Sequence, residues 1–228
     1  MIELWELGGK HDRRYSLYSW RARMALRHKG LPTTFQPVRL TDKAAIAFSG
    51  GTTVPVIRDG DTVVRDSWAI ATHLEARYPD RPSLFGGPTG QALARFVNDW
   101  VDRTVLASAF PAFAFHALEL QDEEDRAHFG SLISRVTGQA PEALAAQQPR
   151  HLERLARAVD PARATLKRQP FLAGAAPAYA DYALFSVFQW GRIIGAPAVL
   201  SGEAALLGWF ERLLDLHDGH ARATPAAW

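Results

Sequence analysis

The 228-residue sequence contains no cysteine. That absence removes disulfides, thiolate metal sites, dithiol redox chemistry and every cysteine nucleophile at once. Any sulfur that reacts here must arrive on a ligand. A strong charge of one sign is also lacking: 26 Lys and Arg face 24 Asp and Glu, for a net charge of +2 and an isoelectric point near 9.1. Such a small excess does not point to nucleic acid, though it suits a modestly anionic ligand. No apolar run approaches the ~18 residues of a membrane-crossing helix, and no charged-then-apolar leader opens the chain. A cytoplasmic protein is therefore expected. What is present is ordinary globular material, 47% hydrophobic and 22% charged, enough for a sizeable core in one large domain or two small ones.

The two halves of the chain follow different patterns. Ile2–Leu7 and Thr33–Arg39 predict strands, and Leu17–Lys29 between them predicts a helix ending in Arg27, His28 and Lys29 with Gly30 as its stop. A weak helix and a loop, Ser49–Thr53, come next. Val54–Arg58 and Thr62–Arg65 flank Asp59-Gly60-Asp61, a hairpin signal. Ser67–Tyr78 predicts a helix stopped by Pro79. The order βαβαββα fits a small mixed sheet with helices on its faces. Pro and Gly then crowd residues 79–90, which predicts a linker at 81–90 between a domain at 1–80 and another at 91–228. Beyond it the apolar spacing is helical, at Leu93–Val105 and near residues 141–168, 179–194 and 203–217. An all-helical second domain is expected.

Three short features could carry chemistry. Pro55 falls within an apolar strand, where it cannot donate to the ladder. A cis Val54–Pro55 bond would turn the Val54 backbone toward an extended peptide ligand; taken by itself, the dipeptide is more simply explained by an edge strand with a trans proline. Asp66-Ser67 precedes a helix, with Ser67 placed as its cap. Helix N–H groups favour a carboxylate and Asp66 an ammonium, the two charges of an amino-acid head group. Ser16-Leu17-Tyr18-Ser19-Trp20-Arg21 lies before the first helix. A serine there caps the helix, or donates its hydroxyl to an incoming anion such as a thiolate.

The order of these features resembles the glutathione S-transferase superfamily. Ala178-Tyr179-Ala180-Asp181 looks like that family's capping box in the helical domain, with Ala178 where Ser or Thr is usual. Ser16-x-x-Ser19-Trp20-Arg21 resembles the serine-type motif of the zeta class, although Leu17 and Tyr18 replace its second Ser and its Cys. Trp20-Arg21 followed by Ala25–Gly30, Asp66-Ser67-Trp68, Tyr78–Phe85, Gly87-Pro88-Thr89 and Ala180-Asp181-Tyr182 are similar to bacterial enzymes that cleave lignin β-aryl ethers with glutathione.

The resemblance implies a thioredoxin-like domain followed by an all-helical one, assembled as a homodimer, with glutathione as co-substrate and no metal. By the same likeness Val54 and Pro55 hold the cysteinyl backbone, Asp66 and Ser67 hold the γ-glutamyl end, and Ser16 (alternatively Ser19) activates the thiol. Phe110, Phe113, Phe115, His116 and Trp190 would form an aromatic wall for a hydrophobic electrophile, or simply core. Arg13 and Arg14 read as a solvated loop. Ether cleavage, general conjugation, a zeta-like isomerisation, dehalogenation and passive ligand binding are the activities compatible with the sequence. A thioredoxin-type oxidoreductase is excluded for want of a cysteine.

Overall fold

The computed structural model describes residues 1–197, 200 and 203–227. Four strands form one sheet in the order β2-β1-β3-β4, built from β1 (Ile2–Leu7), β2 (Thr33–Val38), β3 (Val56–Asp59) and β4 (Thr62–Arg65). β1 and β2 run parallel with Ile2 opposite Thr33; the β1–β3 and β3–β4 pairs are antiparallel. Along β1 the alternation buries Ile2, Leu4 and Glu6, as expected of a strand with one face on the core. Glu6 tolerates burial because Arg23 and Arg14 neutralise it at 2.5 and 3.2 Å. Pro37 sits in β2, an outer strand, where a missing N–H costs no ladder bond.

Helix α1 (Leu17–His28) links β1 to β2, and α2 (Ser67–Arg77) follows β4. The weak helix foreseen between β2 and β3 is a short 3₁₀ turn, Ala44–Ser49. β3 begins at Val56, not Val54, so Pro55 lies just ahead of the strand; the Val54–Pro55 bond is cis. The Pro- and Gly-rich segment ends earlier than expected, because Pro88 opens α3 (Pro88–Trp100) as its first residue and Gly90 lies inside that helix.

A single π turn, Val101–Val105, joins α3 to α4 (Leu106–Glu119). The rest is α5 (Glu123–Thr137), α6 (Pro141–Ala146), α7 (Gln148–Ala158), α8 (Asp160–Leu166), α9 (Tyr179–Ile194) and α10 (Ala204–Gly219). Among the described residues no helix is long and apolar enough to cross a membrane.

All sixteen residues of α9 are buried, so this helix is the axis around which the others pack. One apolar cluster runs from Leu4 and Ile57 in the sheet through Leu26 of α1 to Phe185 and Trp209 in the helical half. At the start of α9 the missing cap hydroxyl of Ala178 is offset by the buried carboxylate of Asp181. It accepts from the N–H groups of Ala178, Leu172 and Ala173 at 3.1, 2.6 and 3.2 Å, and from Trp209 Nε1 at 2.9 Å. Each buried donor left without a partner costs about 1–3 kcal/mol. Asp181→Ala is therefore expected to lower stability in urea titration by about 3 kcal/mol or more, with Asp181→Asn in between.

Candidate functional site

The site begins where α1 begins. Ser16 is the cap of α1, with extended backbone, and its Oγ accepts from the Ser19 N–H at 3.2 Å. A hydroxyl that accepts through a lone pair still has its proton to donate. The first two N–H groups of the helix, those of Leu17 and Tyr18, have no intrahelical acceptor. Ser19, the alternative nucleophile-activating residue, is 1% exposed and lines neither of the two cavities flanking Ser16.

The first cavity, of about 390 Å³, lies along the sheet and is bordered by Ser16, Tyr18, Val54, Pro55, Asp66 and Ser67. Among the described residues neither the N–H nor the C=O of Val54 has a hydrogen-bond partner. Asp66, not Ser67, caps α2: its Oδ1 accepts from the N–H groups of Trp68 and Ala69 at 2.9 and 3.0 Å. Its φ is positive at 74°, with ψ at 135°, a backbone conformation that non-glycine residues rarely adopt. Ser67 is instead the first helical residue and is 3% exposed. The cavity is also bordered by Arg39, expected as the end of the second strand, and by Lys43, from the segment expected as a weak helix. Arg39 is committed to Glu124 at 2.9 Å. Lys43 has no acidic partner among the described residues.

The second cavity, of about 460 Å³, opens toward the helical half and shares Leu7, Ser16, Tyr18 and Leu132 with the first. Its wall is largely apolar, with Leu106, Phe110, Phe129 and Trp190. The Phe110 and Trp190 rings stack at 6.1 Å. The expected aromatic wall thus divides. Phe113 is 1% exposed and packs edge-on behind Trp190 at 5.4 Å, while His116 bonds to Gln148 at 2.9 Å and Phe115 lies against it. Neither Phe113 nor His116 lines this cavity, because α4 turns them toward other helices. Burial also holds the His116 imidazole below its ordinary pKa.

Two polar residues of the second cavity were not anticipated. Tyr18 faces both cavities, and burial followed by the nearby Asp102 raises its phenol pKa, which keeps it protonated. Asp102 projects from the π turn, held by Arg21 at 2.7 Å and Asn98 at 3.0 Å. No local motif marks it, since the one-residue offset of a π turn is not visible in apolar spacing. Tyr15 donates to Gln121 at 2.8 Å and is occupied. Arg13 and Arg14 are not a solvated loop: Arg13 bonds to the Ile193 carbonyl, and Arg14 bridges Asp12 and Glu6. Among the described residues no group of three or more His, Asp and Glu side chains could hold a metal ion.

Comparison with known proteins gives this geometry a family. Residues 11–82 match the family described as glutathione S-transferase, N-terminal domain, and residues 92–214, more than half of the chain, match glutathione S-transferase, C-terminal domain. Glutathione S-transferase Z1 of Arabidopsis thaliana is 37% identical over 87 residues, 32% of this chain and 38% of that protein. Glutathione S-transferase U1 of the same plant is 28% identical over 128 residues, 54% of this chain and 57% of that protein. The matches thus span from about two fifths to just over half the length of these relatives. Two solved structures share the fold nearly end to end. A glutathione transferase of Phanerochaete chrysosporium has a TM-score of 0.84 at 23% identity, covering 93% of this chain and 95% of its own. A glutathione S-transferase of Ceriporiopsis subvermispora in complex with glutathione has a TM-score of 0.85 at 20% identity, covering 98% of both chains. With a four-stranded thioredoxin-like domain, a helical domain and a family match across more than half its length, the chain belongs to the glutathione S-transferase family.

Proposed function

We propose that the protein is a serine-type glutathione transferase in which Ser16 stabilises the glutathione thiolate at the junction of the two cavities. The observation that carries the reading is that Ser16 borders both cavities with its hydroxyl proton uncommitted. Both volumes fall in the range of about 300–1,000 Å³ usual for small-molecule sites. The first cavity matches the charge layout of the tripeptide. Its γ-glutamyl end has Asp66 for the ammonium and the α2 start with Ser67 for the carboxylate, its cysteinyl amide has the open Val54 backbone, and its glycyl carboxylate has Lys43. This assignment adds Lys43 to the residues legible in the sequence.

The energetics are consistent with a serine. A free thiol has pKa ~8.5, so little is ionised at neutral pH. Lowering it by two units requires ~2.7 kcal/mol of preferential thiolate stabilisation. A hydrogen bond to a charged acceptor contributes ~1.5–3 kcal/mol and a helix start ~0.3–1 kcal/mol. The Ser16 hydroxyl and the α1 N-terminus together are sufficient.

The apolar wall of Phe110, Trp190, Leu106 and Phe129 suits an aromatic electrophile, and the sequence likeness to lignin β-etherases favours an aryl ether. The sulfur bonds to the ether carbon as the carbon–oxygen bond breaks, and the departing phenolate takes a proton on its oxygen. Phenolate leaves readily because its conjugate acid has pKa ~10. The protein is assigned to the cytoplasm and to a homodimer. Leu93 and Phe96 of α3, 64% and 73% exposed, form the apolar face that a second copy would cover.

Ser16→Ala is expected to raise the pKa of bound glutathione and to lower kcat at neutral pH by up to ~10²–10³-fold, the cost of one preorganised donor. Glutathione affinity should hardly change, and higher pH should partly rescue turnover. Ser19→Ala should be mild. Titrating thiolate absorbance in both variants decides between them; a shift in Ser19→Ala alone would transfer the role. In a panel of electrophiles with glutathione, an aryl-ether model compound should be cleaved. Turnover confined to small haloaromatics or a maleyl substrate would reject the ether assignment. Phe96→Glu should convert a dimer into a monomer in analytical ultracentrifugation, whereas a monomeric parent protein would refute the dimer.

A further inference from the structure

Behind the Phe110 wall lies a third cavity of about 260 Å³, which shares Ala107, Phe110 and Val136 with the second. His151 of α7 lines it and is 5% exposed. Both of its ring nitrogens are buried without a hydrogen-bond partner. Buried polar atoms are normally satisfied, and a histidine with both nitrogens idle is a departure from that rule. Burial, then the nearby Arg154 and Arg150, lowers the imidazole pKa, so at neutral pH it presents one N–H donor and one acceptor. Arg154 lines the same cavity and has no ion-pair partner among the described residues. Everything else along the wall is uncharged, including Phe110, Pro111 and Leu144. A chamber with the apolar walls of Phe110, Val136 and Leu144, and with Thr137, Gln139, an idle imidazole and an unpaired guanidinium as its polar lining, is suited to an anionic oxygen on an aromatic frame.

We propose that the third cavity is a recognition subsite for the carboxylate of an elongated aryl substrate, with His151 and Arg154 holding the carboxylate while the reacting end lies beside Ser16. This rests on reading the second cavity as the electrophile site, and it narrows that substrate class to aryl carboxylates. Phe110 and Val136 form the boundary that the aryl frame passes, and His151 and Arg154 are specificity-determining residues.

The test is calorimetric titration of the full-length protein, without glutathione, with biphenyl-4-carboxylate and the near-isosteric biphenyl-4-carboxamide. The carboxylate should bind about tenfold more tightly or better, the effect of one charge-assisted hydrogen bond, and should displace unsubstituted biphenyl. Arg154→Gln, an exposed position, should reduce the preference several-fold without changing thermal stability. His151→Leu should abolish most of it, and His151→Gln, which keeps a donor and an acceptor, should restore part. Equal affinity for the two ligands in the parent protein would overturn the proposal. So would equal weakening of both ligands in His151→Leu, which marks His151 as packing only. Carboxylate binding that leaves biphenyl bound would separate the two cavities and overturn the spanning arrangement. None of these readouts uses glutathione, so a failed Ser16 assignment and a failed subsite give different results.

Discussion

Arg21 has no exposed surface, and its guanidinium lies where the two halves of the chain meet. From α1 it reaches Asp102 at 2.7 Å, Asn98 at 3.0 Å and Ser186 of α9 at 3.2 Å. A buried charge is tolerated only when paired and fully hydrogen-bonded; removing one partner of such a pair typically costs about 3–5 kcal/mol. The contact therefore ties the sheet-bearing half to a single position on α3, the π turn and α9. Because Ser16 starts the helix that carries Arg21, the same contact determines what Ser16 faces. The network extends to the Tyr179 hydroxyl, which donates to Asn98 Oδ1 at 3.4 Å.

A second set of contacts keeps the far end of α1 in place. His28 lies between the Tyr182 hydroxyl at 2.7 Å and the Ser83 carbonyl at 2.9 Å. Lys29, almost wholly buried, pairs with Glu75 at 2.6 Å. With Arg21 near its start and His28 and Lys29 at its end, α1 is fixed at both ends against α2, α9 and the segment between α2 and α3. A helix held this way presents its first turn rigidly, which is the condition for donors to be preorganised for an anion.

The parts of the fold that came out as expected rest on local signals. The alternation in β1, the Asp59-Gly60-Asp61 turn and the apolar spacing of α9 and α10 each operate within a dozen residues. The misplacements have equally physical causes. Ser67 looked like a helix cap because serine favours that position, yet Asp66 takes it by adopting a positive φ and accepting two N–H groups, which leaves Ser67 to turn inward. Pro88 seemed part of a linker, but a proline at the first position of a helix loses no intrahelical bond. Helix α5 went unnoticed because its charged face, with Glu123, Glu124 and Asp125 in the first turn, dilutes the apolar signal. Asp125 is nonetheless the residue that anchors the loop after β2 through Leu40 and Thr41.

The candidate site divides along the same line. Sequence alone determined that no residue of this chain can supply a thiol, that a serine opens the first helix, and that an Asp-Ser pair opens another. Each follows from composition or from a motif a few residues long. Only the tertiary structure decided that Phe110 and Trp190 line a cavity while Phe113 and His116 do not, because Phe110, Phe113 and His116 of α4 face different neighbours once α7 and α9, which carries Trp190, are packed against it. It also decided that Lys43, Tyr18 and Asp102 border the same space as Ser16, and that His151 is left buried without a partner. Those are relations between segments far apart in the chain, set by how Arg21 and the shared core bring the helices together, and no local pattern encodes them.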